Sequence, residues 1–331
     1  MKTLLDQHKR IHNYLRISLT EKCNLRCTYC MPSNGVPHMP ASHLMSAEEI
    51  FQISSHFVSR GVDKIRLTGG EPTVRKDFDQ IIESLSSLKI KLALTTNGLT
   101  IHRHIDNLKM ANINVINMSI DTLDRDKFKK ITLRDRFIQL QKNIELLEVE
   151  GFKINFNVVL LKGINDSEII PFIELVKNRN WQVRFIEFMP FDGNNWDRSR
   201  AVTLEEILKE VGKYYGKGII ERLNDEPNDT AKNYKISEHK GSFAIISTVS
   251  NPFCDSCNRI RLTADGKLKN CLFSSSEYDL LTPFRSGDSI ENIIDIALKN
   301  KYLSRGGLED PNQFNNPDNH KDNRSMIAIG G

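Results

Sequence analysis

From residue 11 to about residue 215, short apolar or alternating runs exchange with helical patterns six times over, and this strict alternation restricts the fold more than any other feature of the chain. Strands separated by helices run parallel and are joined by right-handed crossovers, which leaves an open doubly wound sheet or a full or partial barrel. The strand candidates are Tyr14 to Thr20, Lys64 to Thr68, Lys91 to Thr96, Val115 to Asp121, Lys153 to Leu161 and Gln182 to Met189. Helix signals fall between them. Ser46 with Glu49 forms a capping box, Gly61 follows the last turn of that helix, and Thr203 with Glu206 repeats the box ahead of the sixth helix.

Side chains alternate across a strand, so Leu15, Ile17 and Leu19 oppose Arg16, Ser18 and Thr20, and Ile65 and Leu67 oppose Arg66 and Thr68. Thr95 and Asn97, then Asn117, Ser119 and Asp121, then Lys153, Asn155 and Asn157 continue the polar face. A parallel sheet covered on both faces reads as almost continuously apolar. The polar face must therefore line something wet or occupied, which predicts a partial (βα)6 barrel of TIM type with a ligand in its lumen. A sheet open to solvent on one side is the ordinary alternative. Residues 1–215 are assigned to this barrel. After residue 216 the pattern changes to the polar run ERLNDEPNDTAKNYK, a strand from Ser242 to Val249 and a cysteine-bearing stretch. Residues 216–331 are expected to form a smaller domain that ends in a mobile tail, SMIAIGG.

The chain has 331 residues, a formal charge of +4, 39 % hydrophobic residues and six cysteines. That is enough for a sizeable core, while no apolar run is long enough to cross a bilayer. The charge leaves no nucleic-acid footprint, and MKTLLDQHKR lacks a signal-peptide core, so a cytoplasmic protein without membrane or nucleic-acid partners is expected. Cysteines in a reducing compartment are metal ligands or catalytic groups more often than disulfides.

Directly after the first strand, CNLRCTYC places Cys23, Cys27 and Cys30 in one short loop. Structural zinc takes four protein ligands, and this loop contains no histidine. Three thiolates suit a 4Fe-4S cluster with one iron open to an exogenous ligand, against the alternatives of zinc, a disulfide or packed cysteines. LTGGEP sets Gly69, Gly70 and Glu71 at the end of the second strand, where barrel loops gather into active sites. Cys254, Cys257 and Cys271 form a second triad, for which a zinc ribbon or a redox pair is the alternative to a second open-iron cluster. Arg259 and Arg261 share one side of an extended segment and, with Arg16 and Arg66, make four guanidinium forks for one anion, which suggests a triphosphate.

CNLRCTYC resembles the signature of radical S-adenosylmethionine enzymes. The resemblance implies that the open iron of the Cys23, Cys27 and Cys30 cluster chelates S-adenosylmethionine, whose reductive cleavage releases a 5'-deoxyadenosyl radical. It also implies that Tyr29, Gly69, Gly70, Glu71, Ser119 and Met189 contact that cofactor. Adding the second triad with its arginine pair, the FIEFMP run, the KGIND turn from Lys162 to Asp166 and the final Gly330 and Gly331, the chain is similar over nearly its whole length to the GTP 3',8-cyclases of molybdenum cofactor biosynthesis, the MoaA family.

The likeness implies a second 4Fe-4S cluster on Cys254, Cys257 and Cys271 that binds guanine. Arg16, Arg66, Thr95, Arg259 and Arg261 would hold GTP, and the radical would abstract the ribose 3' hydrogen. Attack of the sugar radical on guanine C8 gives (8S)-3',8-cyclo-7,8-dihydroguanosine 5'-triphosphate. Gly330 and Gly331 would reach the active site and, with Arg259 and Arg261, serve the reaction. The implied partners are an electron donor of flavodoxin or ferredoxin type, a cyclic pyranopterin monophosphate synthase that takes the product, and a second copy in a homodimer. In one departure, a position on the fifth strand that is usually basic in the family falls on Asn155. Asn155 is mapped as a GTP contact, and Lys153, two residues earlier and on the same strand face, is expected to replace part of the missing charge. The competing readings are a peptide-modifying radical enzyme with an auxiliary cluster and a zinc-stabilised nucleic-acid-binding module.

Overall fold

The computed structural model describes residues 3–31 and 39–330. Strands β1 (Tyr14–Ser18), β2 (Lys64–Thr68), β3 (Lys91–Thr96), β4 (Val115–Ser119), β5 (Lys153–Leu160) and β6 (Gln182–Glu187) pair in chain order, all parallel. β1, β4 and β6 stop two residues before the side-chain alternation does. Past the last residues of β1 and β4, Leu19 N still donates to Thr68 O and Ile120 N to Asn157 O.

Helices α1 (Ala47–Ser59), α2 (Phe78–Ser86), α3 (Ile105–Met110), α4 (Arg125–Thr132), α5 (Phe137–Val149), α6 (Ile169–Leu175) and α7 (Leu204–Tyr215) alternate with these strands. Both capping boxes form. Ser46 Oγ accepts from Glu49 N at 3.1 Å while Ser46 N donates to the Glu49 carboxylate at 2.7 Å, and Thr203 and Glu206 do the same ahead of α7. Gly61, at φ +98°, turns the chain out of α1 in the left-handed conformation that favours glycine.

The apolar strand face packs under the helices. Leu15, Ile17, Ile65, Leu67, Leu94, Ile116, Ile154 and Phe156 are fully buried with Ile50, Phe57, Ile82 and Leu85 from α1 and α2. Each such side chain contributes about 1.5–3 kcal/mol on burial. On the other face, Arg16, Arg66, Thr95, Ser119 and Asn157 surround a cavity of about 570 Å³.

The remaining strands are β7 (Ile220–Arg222), β8 (Lys232–Ile236), β9 (Ser242–Ile246), β10 (Arg259–Leu262), β11 (Lys267–Lys269) and β12 (Tyr278–Asp279). β9 joins β6 in parallel and β10 joins β1 in parallel, while β8 and β7 extend one side and β11 and β12 the other as antiparallel strands. One twelve-stranded sheet results, with β12 and β7 at its edges. Short helices α8 (Leu281–Arg285), α9 (Glu291–Lys299), α10 (Pro311–Phe314) and α11 (Met326–Ile329) complete the chain. Among the described residues, no helix is long and apolar enough to cross a membrane.

Candidate active site

Strand direction puts the two cysteine triads at opposite ends of one cavity. Cys23, Cys27 and Cys30 follow the C-terminal end of β1. Because β10 runs parallel to β1, with Arg259 at the level of Tyr14, Cys254 and Cys257 precede it at the other end. β11 returns antiparallel with Lys269 beside Arg261, which delivers Cys271 to that same end. β1 itself spans five residues, about 16 Å at about 3.3 Å per residue. All six cysteines line this one cavity.

The first loop is held from both sides. Arg26 N and Thr28 N donate to Thr132 O and Ile131 O at the end of α4. Leu25 N and Asn97 Nδ2 point at Cys23 Sγ from 3.4 and 3.7 Å. Burial pushes the Cys23 thiol up to about 11 and Cys30 up to about 12, and holds Cys27 well above the usual thiol range. Such thiols ionise when a cationic metal centre takes them, and N–H groups directed at sulfur are what a ligating thiolate accepts. Tyr29 lines the cavity and donates to Asp121 Oδ2 at 2.7 Å, and burial raises Asp121 to about 6.

In the LTGGEP turn the glycines serve backbone against backbone. Gly70 N donates to Thr20 O at 2.6 Å and Glu71 N to Lys22 O at 2.8 Å. A Cβ at Gly69 would lie 2.6 Å from Thr20 O, and one at Gly70 would lie 2.5 Å from Lys22 O. Glu71 is more heavily engaged than the sequence suggested. Its carboxylate accepts from Thr73 N, Thr73 Oγ1, Thr96 Oγ1 and Asn97 N at 2.5–3.1 Å, so it ties the turn to the end of β3 and keeps little capacity for an ammonium group. Ser119 and Met189 line the same upper part of the cavity.

The second triad lies in a cationic setting. Burial raises Cys271. It acts on Cys257 too, but there the charges of Lys301 and then Arg259 outweigh it and bring the thiol down to about 6. The loop that carries Cys254 is anchored to β6, because Glu187 Oε2 accepts from Val249 N and Ser250 N, each at 2.9 Å. That contact gives the FIEFMP run a structural role. Likewise Asn165 of the KGIND turn donates to Asp121 O and Val159 O, locking the ends of β4 and β5 together.

Arg16, Arg66, Arg259 and Arg261 all face the cavity. Arg66 donates to Tyr14 Oη and to Thr95 Oγ1 at 3.2 Å. Arg16 Nε and Arg259 Nη2 are buried without a hydrogen-bond partner among the described residues. Burial and the neighbouring Arg16 bring Arg261 down to about 9, and burial with Arg66 brings Arg184 to about 10, so positive charge is crowded there, offset only in part at Arg184 by the Asp229 carboxylate, although each guanidinium stays cationic. Tyr14 feels the same field. Burial raises it, but Arg66, Arg16 and Lys64 more than offset that and lower its hydroxyl to about 7.

Three expectations need revision. Lys153 is exposed at the start of β5 and does not line the cavity. It shares a strand face with Asn155 but lies about 7 Å further from the rim, since two residues advance a strand by that much. Asn155 is buried beside Asn117 and does not reach the cavity either. A guanidinium that does line the cavity is that of Arg184 on β6, level with Asn157, where it donates to Asn117 Oδ1 at 2.7 Å. Arg184 could have been found by reading Gln182, Arg184 and Ile186 as one more lumen face. Finally, the expected mobile tail is seated: Ile327, Ala328 and Ile329 are buried and Gly330 O accepts from Arg261. Gly331 lies outside the described residues.

A partial barrel with a three-cysteine loop after its first strand and a GGE turn after its second defines the radical S-adenosylmethionine class. Residues 17–176 match the Radical SAM superfamily model, and residues 181–305 match Molybdenum Cofactor Synthesis C. The second match begins ahead of β6. A mitochondrial GTP 3',8-cyclase of Arabidopsis thaliana is 45 % identical over 99 % of this chain and 83 % of its own length. GTP 3',8-cyclase of Desulforamulus reducens is 38 % identical over 99 % and 100 %. Molybdenum cofactor biosynthesis protein 1 of Homo sapiens is 40 % identical over 98 % of this chain and 51 % of its own, and the chain spans about half the length of several such relatives. The chain belongs to the GTP 3',8-cyclase family of molybdenum cofactor biosynthesis. In fold it resembles Streptococcus suis SuiB bound to S-adenosylmethionine, with a TM-score of 0.63, 16 % identity, and coverage of 88 % of this chain and 69 % of that one. Members of the superfamily use a 4Fe-4S cluster with S-adenosylmethionine, and this family carries a second cluster.

Proposed function

We propose that this chain converts GTP to the 3',8-cyclised nucleotide, with Cys23, Cys27 and Cys30 holding one 4Fe-4S cluster and Cys254, Cys257 and Cys271 the other. The observation that carries the reading is the set of guanidinium groups, Arg66 and Arg261 buried and Arg16, Arg184 and Arg259 half-buried, two of them with a buried unpartnered N–H, in a cavity that ends in a sulfur triad on each side. Buried cations need an anion, and a triphosphate supplies several charges at once.

When bound, the first cluster and S-adenosylmethionine supply a 5'-deoxyadenosyl radical. The protein supplies placement. Tyr29, Gly69, Gly70, Glu71, Ser119 and Met189 would form the cofactor's surroundings near the first triad. Arg16, Arg66, Arg184, Arg259 and Arg261, with Thr95 steadying Arg66, grip the triphosphate and fix where the ribose lies. A primary carbon radical takes the nearest hydrogen, so holding the ribose 3' carbon in reach decides the product. Gly330 O accepts from Arg261 beside Thr68 and Gly69, and with Gly331 it would serve the same site. The packed walls keep out water and stray hydrogen donors. Electrons would come from a flavodoxin- or ferredoxin-type donor and the product would pass to a cyclic pyranopterin monophosphate synthase, with the enzyme working as a cytoplasmic homodimer.

Anaerobic incubation of reconstituted enzyme with GTP, S-adenosylmethionine and dithionite tests this. Deoxyadenosine and a cyclised nucleotide are expected, both dependent on GTP. Deoxyadenosine formed without GTP, and no cyclised nucleotide, would instead favour a peptide-modifying enzyme.

A further inference from the structure

Lys301 follows α9 and is 2 % exposed. Its Nζ lies 3.6 Å from Cys257 Sγ and donates to Arg259 O at 2.9 Å. These are its side chain's hydrogen bonds among the described residues, and neither goes to a carboxylate. Gln7 Nε2 donates to Lys301 O at 2.9 Å and fixes the backbone. On the same side, Asp6 is already taken by Arg10 and His12. Burying an ammonium without an anion costs several kcal/mol, so a partner is required, and sulfur is the one within reach.

We propose that Lys301 is the charge partner of Cys257 and a positioning residue that raises the reduction potential of the second cluster. The inference rests on the assignment of Cys254, Cys257 and Cys271 to that cluster. An added electron makes a thiolate-bound cluster more negative, and a cation hydrogen-bonded to a ligand sulfur stabilises that state. At the first triad the described donors to sulfur are the neutral Leu25 N and Asn97 Nδ2. The two clusters are therefore unequal, with the second the easier to reduce.

Redox titration of the anaerobically reconstituted full chain, followed by electron paramagnetic resonance, tests this on wild type, Lys301→Met and Lys301→Arg. In wild type the second cluster should have the higher midpoint. Lys301→Met should move that midpoint to more negative potential and leave the first cluster's in place, and Lys301→Arg should restore it. An unmoved second midpoint, or equal movement of both, overturns the proposal. Should Lys301→Met fail to fold, wild-type enzyme labelled with 15N at lysine Nζ decides. Pulsed resonance should detect a nitrogen coupled to the reduced second cluster, and its absence overturns the proposal. Wild type with only one cluster's iron and sulfide would refute the cluster assignment itself, a result distinct from a second cluster whose potential ignores Lys301.

Discussion

Gly70→Ala tests whether the GGE turn works through backbone contact with the cysteine loop. The new Cβ would sit 2.5 Å from Lys22 O and 2.7 Å from Glu21 O, against a floor of 3.0 Å for real contacts, so at least 0.5 Å of backbone movement is forced. Neither side yields easily, because Glu71 N is bonded to Lys22 O and Gly70 N to Thr20 O. Overpacking of this kind costs about 1–3 kcal/mol. The displaced residue is Lys22, next to Cys23, and a functional constellation tolerates displacement of only about 0.5 Å. If the strain falls on cofactor binding, the S-adenosylmethionine dissociation constant rises roughly 5- to 150-fold, at about 1.4 kcal/mol per decade. The assay is anaerobic equilibrium binding with iron quantitation after reconstitution. Gly218→Ala is the control, since a Cβ there meets nothing within 4 Å. Gly70→Ala with full first-cluster iron and an affinity within about twofold of wild type would refute the reasoning.

Arg184→Ala should weaken GTP binding by about 1.5–3 kcal/mol, the worth of hydrogen bonds to a charged group, whereas Lys153→Ala leaves it unchanged; anaerobic calorimetry giving the reverse order would remove Arg184 from the site. Glu187→Ala strands the amides of Val249 and Ser250, so iron at the second cluster should fall while the first is retained, and undiminished iron at both would show that the anchor is dispensable. His12 is buried, and burial with Lys301 lowers it from 6.5 to about 3, so the folded protein resists its protonation. Its contribution to stability is complete above about pH 6.5 and is lost at up to about 1.4 kcal/mol per pH unit as pH falls towards 3. Denaturant unfolding of His12→Gln should lack that slope, and parallel curves for the two proteins would contradict it.

Short-range information was legible in the sequence. Side-chain alternation marked the lumen face of β1 to β5, and the capping boxes at Ser46 and Thr203 depend on partners three residues away. Long-range information was not. Alternation assigns a residue to a face but not to a height, which is why Lys153 fell below the cavity and Arg184 entered it from a strand whose register only the fold fixes. The tie from Glu71 to the end of β3 was hidden because two of its donors, Thr96 and Asn97, come from the next strand. Nor could spacing reveal that β9 and β10 attach to opposite sides of the barrel, or that Gly330 rests on Arg261.

Because β10 zips onto β1 and β9 onto β6, the segment bearing the second sulfur triad is sewn into the barrel at both flanks. Expressing the first 215 residues alone would strip two ladders of their partners and leave bare, adhesive margins inviting aggregation. Cutting the backbone in the polar run before β8, by contrast, should give two pieces that stay clasped together and migrate as one.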